Sequence, residues 1–282
     1  QLPVMILLNV YFIKNPVFER ACYINYGGHW LGWLLSELTG SNKWFDVTED
    51  ITYLVCFADV VRSIGDNNPT FSQMAIFGAA FLWGFRLLSF LGFRIITRGS
   101  DWRFDALIKN SAYNLFGWTT GGTWCVLNGM CLWTVAGRHT HTGSLSMLTL
   151  TGLSIFVIGL LLETLSDWQK YFFRSRGKTW IAEGLWSICR HPNYLGEVLV
   201  WCGIAIASVG SLKNPFACCR FQAYLCMVSP LWSVFFLFFT SLMLLEKRAN
   251  ATFGDDSRAS AAVKADYAEY KRTVPILLPF HL

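Results

Sequence analysis

Long apolar blocks separated by charged loops govern what this chain can become. Seven such blocks can be drawn, at residues 21–38, 51–64, 74–97, 113–136, 147–165, 195–212 and 225–245. About 20 apolar residues cross the hydrocarbon core of a bilayer as a helix, and a lipid-exposed segment must satisfy its own backbone hydrogen bonds. The blocks therefore predict an all-α integral membrane protein, a bundle of about seven transmembrane helices. The second block is short for a span, and residues 1–13 read as an additional interfacial or truncated helix. Composition agrees: 54% of the residues are hydrophobic and 15% charged, against about 25% charged in a soluble domain. Glycines within the later blocks (Gly78, Gly84, Gly117, Gly121, Gly122, Gly159, Gly203) suit close helix packing in lipid.

The loops set the expected orientation. Fourteen lysines and arginines fall in 98–112, 166–194 and the tail from 246, whereas 137–146 and 213–224 hold Arg138, Lys213 and Arg220 alone. A bias of this size places the C-terminus and the two large loops on the cytosolic-type side. The net charge of +5 is modest, and no basic cluster stands apart from the membrane-flanking loops, so no nucleic acid is expected as a partner. Most of the nine cysteines sit inside apolar blocks without a CxxC, and they read as packing residues. The sequence starts at Gln1 rather than Met, which leads us to expect a removed leader or a preceding segment.

Ionisable groups in or beside a span are costly and mark candidate functional positions. Glu163, Asp167 and Lys170 are spaced to share one helical face at a membrane exit; a polar helix end with an internal ion pair would also account for them. In RHPNYLGE (190–197), Pro192 suits a first helical turn, whose dipole favours an anion beside Arg190 and His191. A capped helix entrance explains Pro192 but not Asn193, Tyr194 and Glu197 together. Arg86 and Arg94 lie in an apolar block. Arg94 can snorkel to the interface, while the deeper Arg86 needs an acidic or phosphate partner. Arg138-His139-Thr140-His141 contains a His-x-His, but two histidines do not make a zinc site, and no metal centre is expected. There is no Walker loop, no GxSxG and no GxGxxG after a strand.

Five segments carry a resemblance. They are SNKWFDVTED (41–50), LWGFRLLSFLGFRIITRGSDWRFD (82–105), ETLSDWQKYFFR (163–174), GLWSICRHPNYLGEVLVWCG (184–203) and the tail LLEKR with DYAEYKRTVPILLPF (244–248, 266–280). Together they resemble the steroid 5α-reductase-like membrane family, in the branch once described only as a domain of unknown function. The likeness divides the chain into an N-terminal apolar segment with the first span (1–40) and a reductase-like transmembrane domain (41–282). It implies seven-helix reductases that hold NADPH inside the bundle and pass its hydride to an enone or related conjugated double bond. It further implies that Asp167, Asn193 and Glu197 contact the cofactor, that Arg174 lies near its phosphates, and that Arg86 matches another arginine of the family. Arg190, His191 and Lys170 join them as cofactor-binding candidates, and Glu197 with Tyr194 are the catalytic candidates. The family's substrate-polarising acid lies in the poorly matched N-terminal half, where Glu37, Tyr53 and Asp59 are the candidates. The fourth span, LFGWTTGGTW (115–124), lacks the family's glutamine.

Two other readings compete. Isoprenylcysteine and phospholipid methyltransferases share the Arg-His-Pro-x-Tyr-x-Gly element but bind S-adenosylmethionine; the 163–170 stripe and RGSDWRFD favour the reductase. A non-catalytic, reductase-like accessory subunit of a larger membrane complex is the second. A pocket between apolar helices would admit steroids or other lipid-like substrates beside membrane lipids. The expected location is the endoplasmic reticulum, with an organellar inner membrane (mitochondrial or plastid) as the alternative.

Overall fold

A computed structural model describes residues 1–65, 68–99, 101–137, 144–175, 180–217, 219–254 and 257–277, the side chains of Tyr11, Phe12, Trp102, Asp105, Arg174 and Ser175 excepted. Its regular elements are helices. They are α1 (Leu2–Leu8), α2 (Pro16–Thr39), α3 (Phe45–Gly65), α4 (Phe71–Arg98), α5 (Trp102–Asp105), α6 (Ser111–Asn128), α7 (Met130–Ala136), α8 (Met147–Ser175), α9 (Pro192–Ser211), α10 (Arg220–Phe236), α11 (Met243–Phe253) and α12 (Ala261–Thr273). Wide π-type turns follow α1 (Asn9–Ile13) and join α10 to α11 (Leu237–Leu242).

All seven apolar blocks are helical. Among the described residues, four helices are long and apolar enough to cross a membrane: Phe71–Arg98, Met147–Phe173, Pro192–Ser211 and the continuous Arg220–Phe253. The other three blocks carry more polar residues than a block count registers. Asp46, Glu49 and Asp50 occupy the first turns of α3 and lengthen it from the expected 51–64 to 45–65, where the positive end of the helix dipole favours carboxylates. The start of α2 moves back to residue 16 for a different reason. Asn15 caps it, its side chain accepting from the amides of Val17 and Phe18, with Pro16 in the first turn.

Contacts divide the chain into two compact units, Gln1–Leu153 with Ile204–Ser229, and Ser154–Gly203 with Pro230–Leu282. In the first, α2 packs against α6 and α3, and α3 against α4. Glycine makes the α2–α6 approach possible: a Cβ at Gly32 would lie 2.3 Å from the Trp118 ring. A buried polar chain runs beside it. Asn114 donates to Glu37 (2.7 Å) and Ser36 (2.9 Å), Asn42 donates to Asn114 (2.9 Å), and Trp118 donates to Asn42 (3.1 Å). The helix of the fourth block is broken at Gly129, where the Trp133 ring takes the space a Cβ would need (2.4 Å). Arg94 pairs with Asp46 of α3 (2.9 Å) and with Asp101 of the loop after α4 (3.5 Å). The described cysteines are unbridged and all but Cys202 are buried, as small apolar packing groups.

In the second unit α8 and α9 approach backbone to backbone. A Cβ at Gly196 would lie 2.5 Å from the Glu163 amide nitrogen, and one at Gly159 would lie 2.6 Å from that of Val200. Small residues at a crossing are what tight helix packing in lipid requires.

Candidate functional site

The site grows from the stretch that leads into α9. Gly184 takes a left-handed conformation (φ +62°) that turns the chain after α8, and the Gln169 carboxamide fills the space beside it and accepts from the Leu185 amide (3.1 Å). Trp186 is then buried and donates through Nε1 to the Ser166 carbonyl (3.1 Å), with the Lys170 ammonium 4.7 Å over its ring. The C-terminal segment clasps the same stretch. The Tyr270 hydroxyl donates to the Trp186 carbonyl (3.2 Å), and burial pushes Tyr270 above its ordinary value, which keeps that donor protonated. The Arg190 amide donates to the Pro275 carbonyl (2.9 Å), and Trp180 packs edge-on and tilted among Phe253, Tyr267 and Tyr270.

At the end of this stretch stand Arg190 and His191, both buried, and both turned to Glu246 of α11. Arg190 Nη1 pairs with one carboxylate oxygen, and His191 Nε2 lies 2.7 Å from the other. Burial, set against the hydrogen bond to Glu246, holds His191 below its ordinary value, with the Lys170 charge also opposing protonation. A carboxylate accepts only, so the neutral imidazole donates from Nε2 and keeps a lone pair on Nδ1. Tyr194 stacks on the imidazole (5.6 Å, 14°).

Arg190 and His191 were expected to face an anion at the helix entrance. Within the chain both are engaged by the Glu246 carboxylate, since a buried charge must be paired. Each nevertheless keeps one polar atom for other use. Arg190 Nε, His191 Nδ1 and Asn193 Oδ1 are buried without a hydrogen-bond partner among the described residues. That leaves one charged donor and two acceptors within four consecutive residues at the positive end of α9. Leaving such groups unmatched costs about 1–3 kcal/mol each, which is the mark of a place that binds something polar. Beside Glu246 opens a cavity of about 510 Å³, walled by Phe238, Leu242, Met243 and Ile276, with Glu246, Lys247 and Asn250 as its polar edge.

The other expected residues divide. Asp167 and Glu197 are half-buried on α8 and α9, the two helices that meet at Glu163 and Gly196. Arg86 is half-buried in α4, which belongs to the first unit. Of the N-terminal acid candidates, Asp59 is bound to Arg20 (2.8 Å) and Arg62 (3.2 Å), Glu37 accepts from Asn114, and Tyr53 is buried between Trp83 and Trp133. The Arg174 side chain, residues 176–179 and the His-x-His of 138–141 lie outside the described residues. Sequence reasoning missed Glu246 as a site residue, although a carboxylate closing an apolar block was its visible signal.

Fold and site together define a helical protein with, among the described residues, four helices long and apolar enough to cross a membrane and a buried, partly unsatisfied cluster at the entrance of one of them. More specifically, the chain belongs to the family described as Protein of unknown function (DUF1295), whose model matches residues 32–274. No curated protein and no solved structure matches it.

Proposed function

We propose that the chain is a membrane-embedded NADPH-dependent reductase that transfers hydride to a conjugated double bond of a steroid or other lipid-like enone. The observation that carries this reading is the Arg190–His191–Asn193 cluster with its three unmatched polar atoms. A dinucleotide presents the complementary set: anionic oxygens for the Arg190 Nε donor, and ribose hydroxyl or carboxamide donors for His191 Nδ1 and Asn193 Oδ1. Glu246 holds the arginine and the imidazole in place and fixes the tautomer. The positive end of α9 adds to the attraction for phosphate. Asp167 and Glu197 would grip further hydroxyls, Lys170 would supply a cation beside them, and the resemblance implies Arg174 for the phosphates.

When bound, NADPH would supply the hydride for the β-carbon, as the resemblance to steroid 5α-reductase-like enzymes implies. The apolar walls of the cavity beside Glu246 suit a lipid-like substrate, and Tyr194, its ring stacked on His191, would be a hydroxyl donor beside the cluster. In this reading about seven helices span the membrane, and the cation-rich loops with the C-terminus face the cytosolic side. The membrane is that of the endoplasmic reticulum, or alternatively an organellar inner membrane.

The test is ligand binding to the purified chain in detergent. NADPH fluorescence should be enhanced and competed by NADP⁺ but not by S-adenosylmethionine. Asn193→Ala, which removes one acceptor, should weaken NADPH by about tenfold while thermal unfolding stays unchanged. Competition by S-adenosylmethionine would point to methyl transfer instead. Absence of either ligand together with copurifying membrane subunits would point to an accessory role.

A further inference from the structure

We propose that α2, α3 and α6 of the first unit build a binding site for a zinc-type divalent transition metal, with His29, Glu49 and Cys125 as its ligands. Spread over nearly a hundred residues of sequence, the three side chains each bring one ligand atom, and these atoms lie within 4.8 Å of one another. His29 and Cys125 have no exposed surface, and Glu49 is half-buried.

The histidine carries the argument. Its Nδ1 is 2.7 Å from the Asn25 carbonyl oxygen, which can only accept, so Nδ1 holds the hydrogen and Nε2 keeps its lone pair. That Nε2 is fully buried and has no hydrogen-bond partner among the described residues. A backbone carbonyl on one imidazole nitrogen, freeing the other as a ligand, is the arrangement that orients histidines toward metals. Gly121 keeps the approach clear: a Cβ there would lie 3.1 Å from Nε2 and 3.2 Å from the Phe45 ring.

The donor set selects the ion. Imidazole, thiolate and carboxylate together suit zinc or a similar borderline metal rather than magnesium or calcium. Charge also closes, since a thiolate and a carboxylate balance a dication in surroundings that would not tolerate a net charge. Coordination breaks the Cys125 S–H bond, forms a sulfur–metal bond and releases the proton to solvent. Bonds of about 2.0–2.3 Å put tetrahedral ligand atoms roughly 3.5 Å apart, so small side-chain rotations complete the geometry. Three protein ligands leave the fourth position open to water or substrate. The proposal is independent of the reductase reading.

Cobalt(II) makes the site visible. The full chain in detergent, stripped by a chelator, loaded with cobalt and desalted, should retain one cobalt per chain. It should also show a thiolate-to-cobalt charge-transfer band that zinc displaces. Cys125→Ser should abolish the band, and His29→Gln should weaken cobalt by at least about tenfold. Should Cys125→Ser fail to fold, the isosteric Glu49→Gln at the half-buried ligand reads the same loss of affinity. A folded wild-type chain that retains no cobalt overturns the proposal, as does a band that persists undiminished in Cys125→Ser.

Discussion

His191 illustrates how a single side chain joins stability to the site. Its folded value lies below the ordinary one because burial outweighs the attraction of Glu246, so the unfolded chain takes up a proton at higher pH than the folded one. Stability from this group is therefore complete above about pH 6.5 and falls as the pH drops through that value toward the lower folded one. Thermal unfolding in detergent, followed by tryptophan emission from about pH 8 to pH 5, should show that decline. His191→Gln, which can still donate to Glu246 but does not titrate, should flatten it. If the two profiles decline in parallel, the imidazole is not the group responsible.

At the scale of elements, the α8–α9 seam decides whether the second unit forms. A methyl at Gly196 would sit 2.5 Å from a backbone nitrogen of Glu163, where no flexible side chain can yield. Gly196→Ala should cost about 1–3 kcal/mol through forced separation of the helices, outweighing the roughly 1 kcal/mol that alanine gains over glycine in a helix. Gly78 in α4 provides the control, since nothing lies within 4 Å of its added Cβ. Gly78→Ala should be neutral or slightly stabilising. Denaturant midpoints of the two variants in the same detergent measure the contrast, and equal midpoints would remove the seam from the account. Helix ends follow the same logic of local chemistry: Thr70 and Gln73 form a reciprocal capping box that starts α4, and Gln73 reaches on to the Val135 carbonyl.

For the whole molecule the decisive quantity is the distribution of cations. Fourteen on one set of loops against three on the other predicts that a cysteine placed at Lys109 or Lys264 is labelled by a membrane-impermeant thiol reagent from the cytosolic-type side only. One placed at Lys213 should be labelled from the opposite side only. The background is low because all but one of the described native cysteines are buried. Labelling of Lys213→Cys and Lys264→Cys from the same side would break the alternation on which the seven-span reading rests.

Helical class and membrane character were legible in the residue order, because an apolar run acts on its own backbone and on lipid wherever it sits. So was RHPNYLGE, whose proline, arginine, histidine and asparagine sit within one turn of a helix entrance. The added length of α2 and α3 was not, because capping by Asn15 and a carboxylate-rich first turn extend helices without adding apolar residues. Only the tertiary structure decided that Glu246, 55 and 56 residues away, would claim His191 and Arg190 and leave their other nitrogens for a ligand. It alone brought His29, Glu49 and Cys125 together from three helices. Local chemistry is written in neighbouring residues, whereas a site assembled across helices depends on the glycines and ring contacts that set how closely those helices pack, and no spacing along the chain records that.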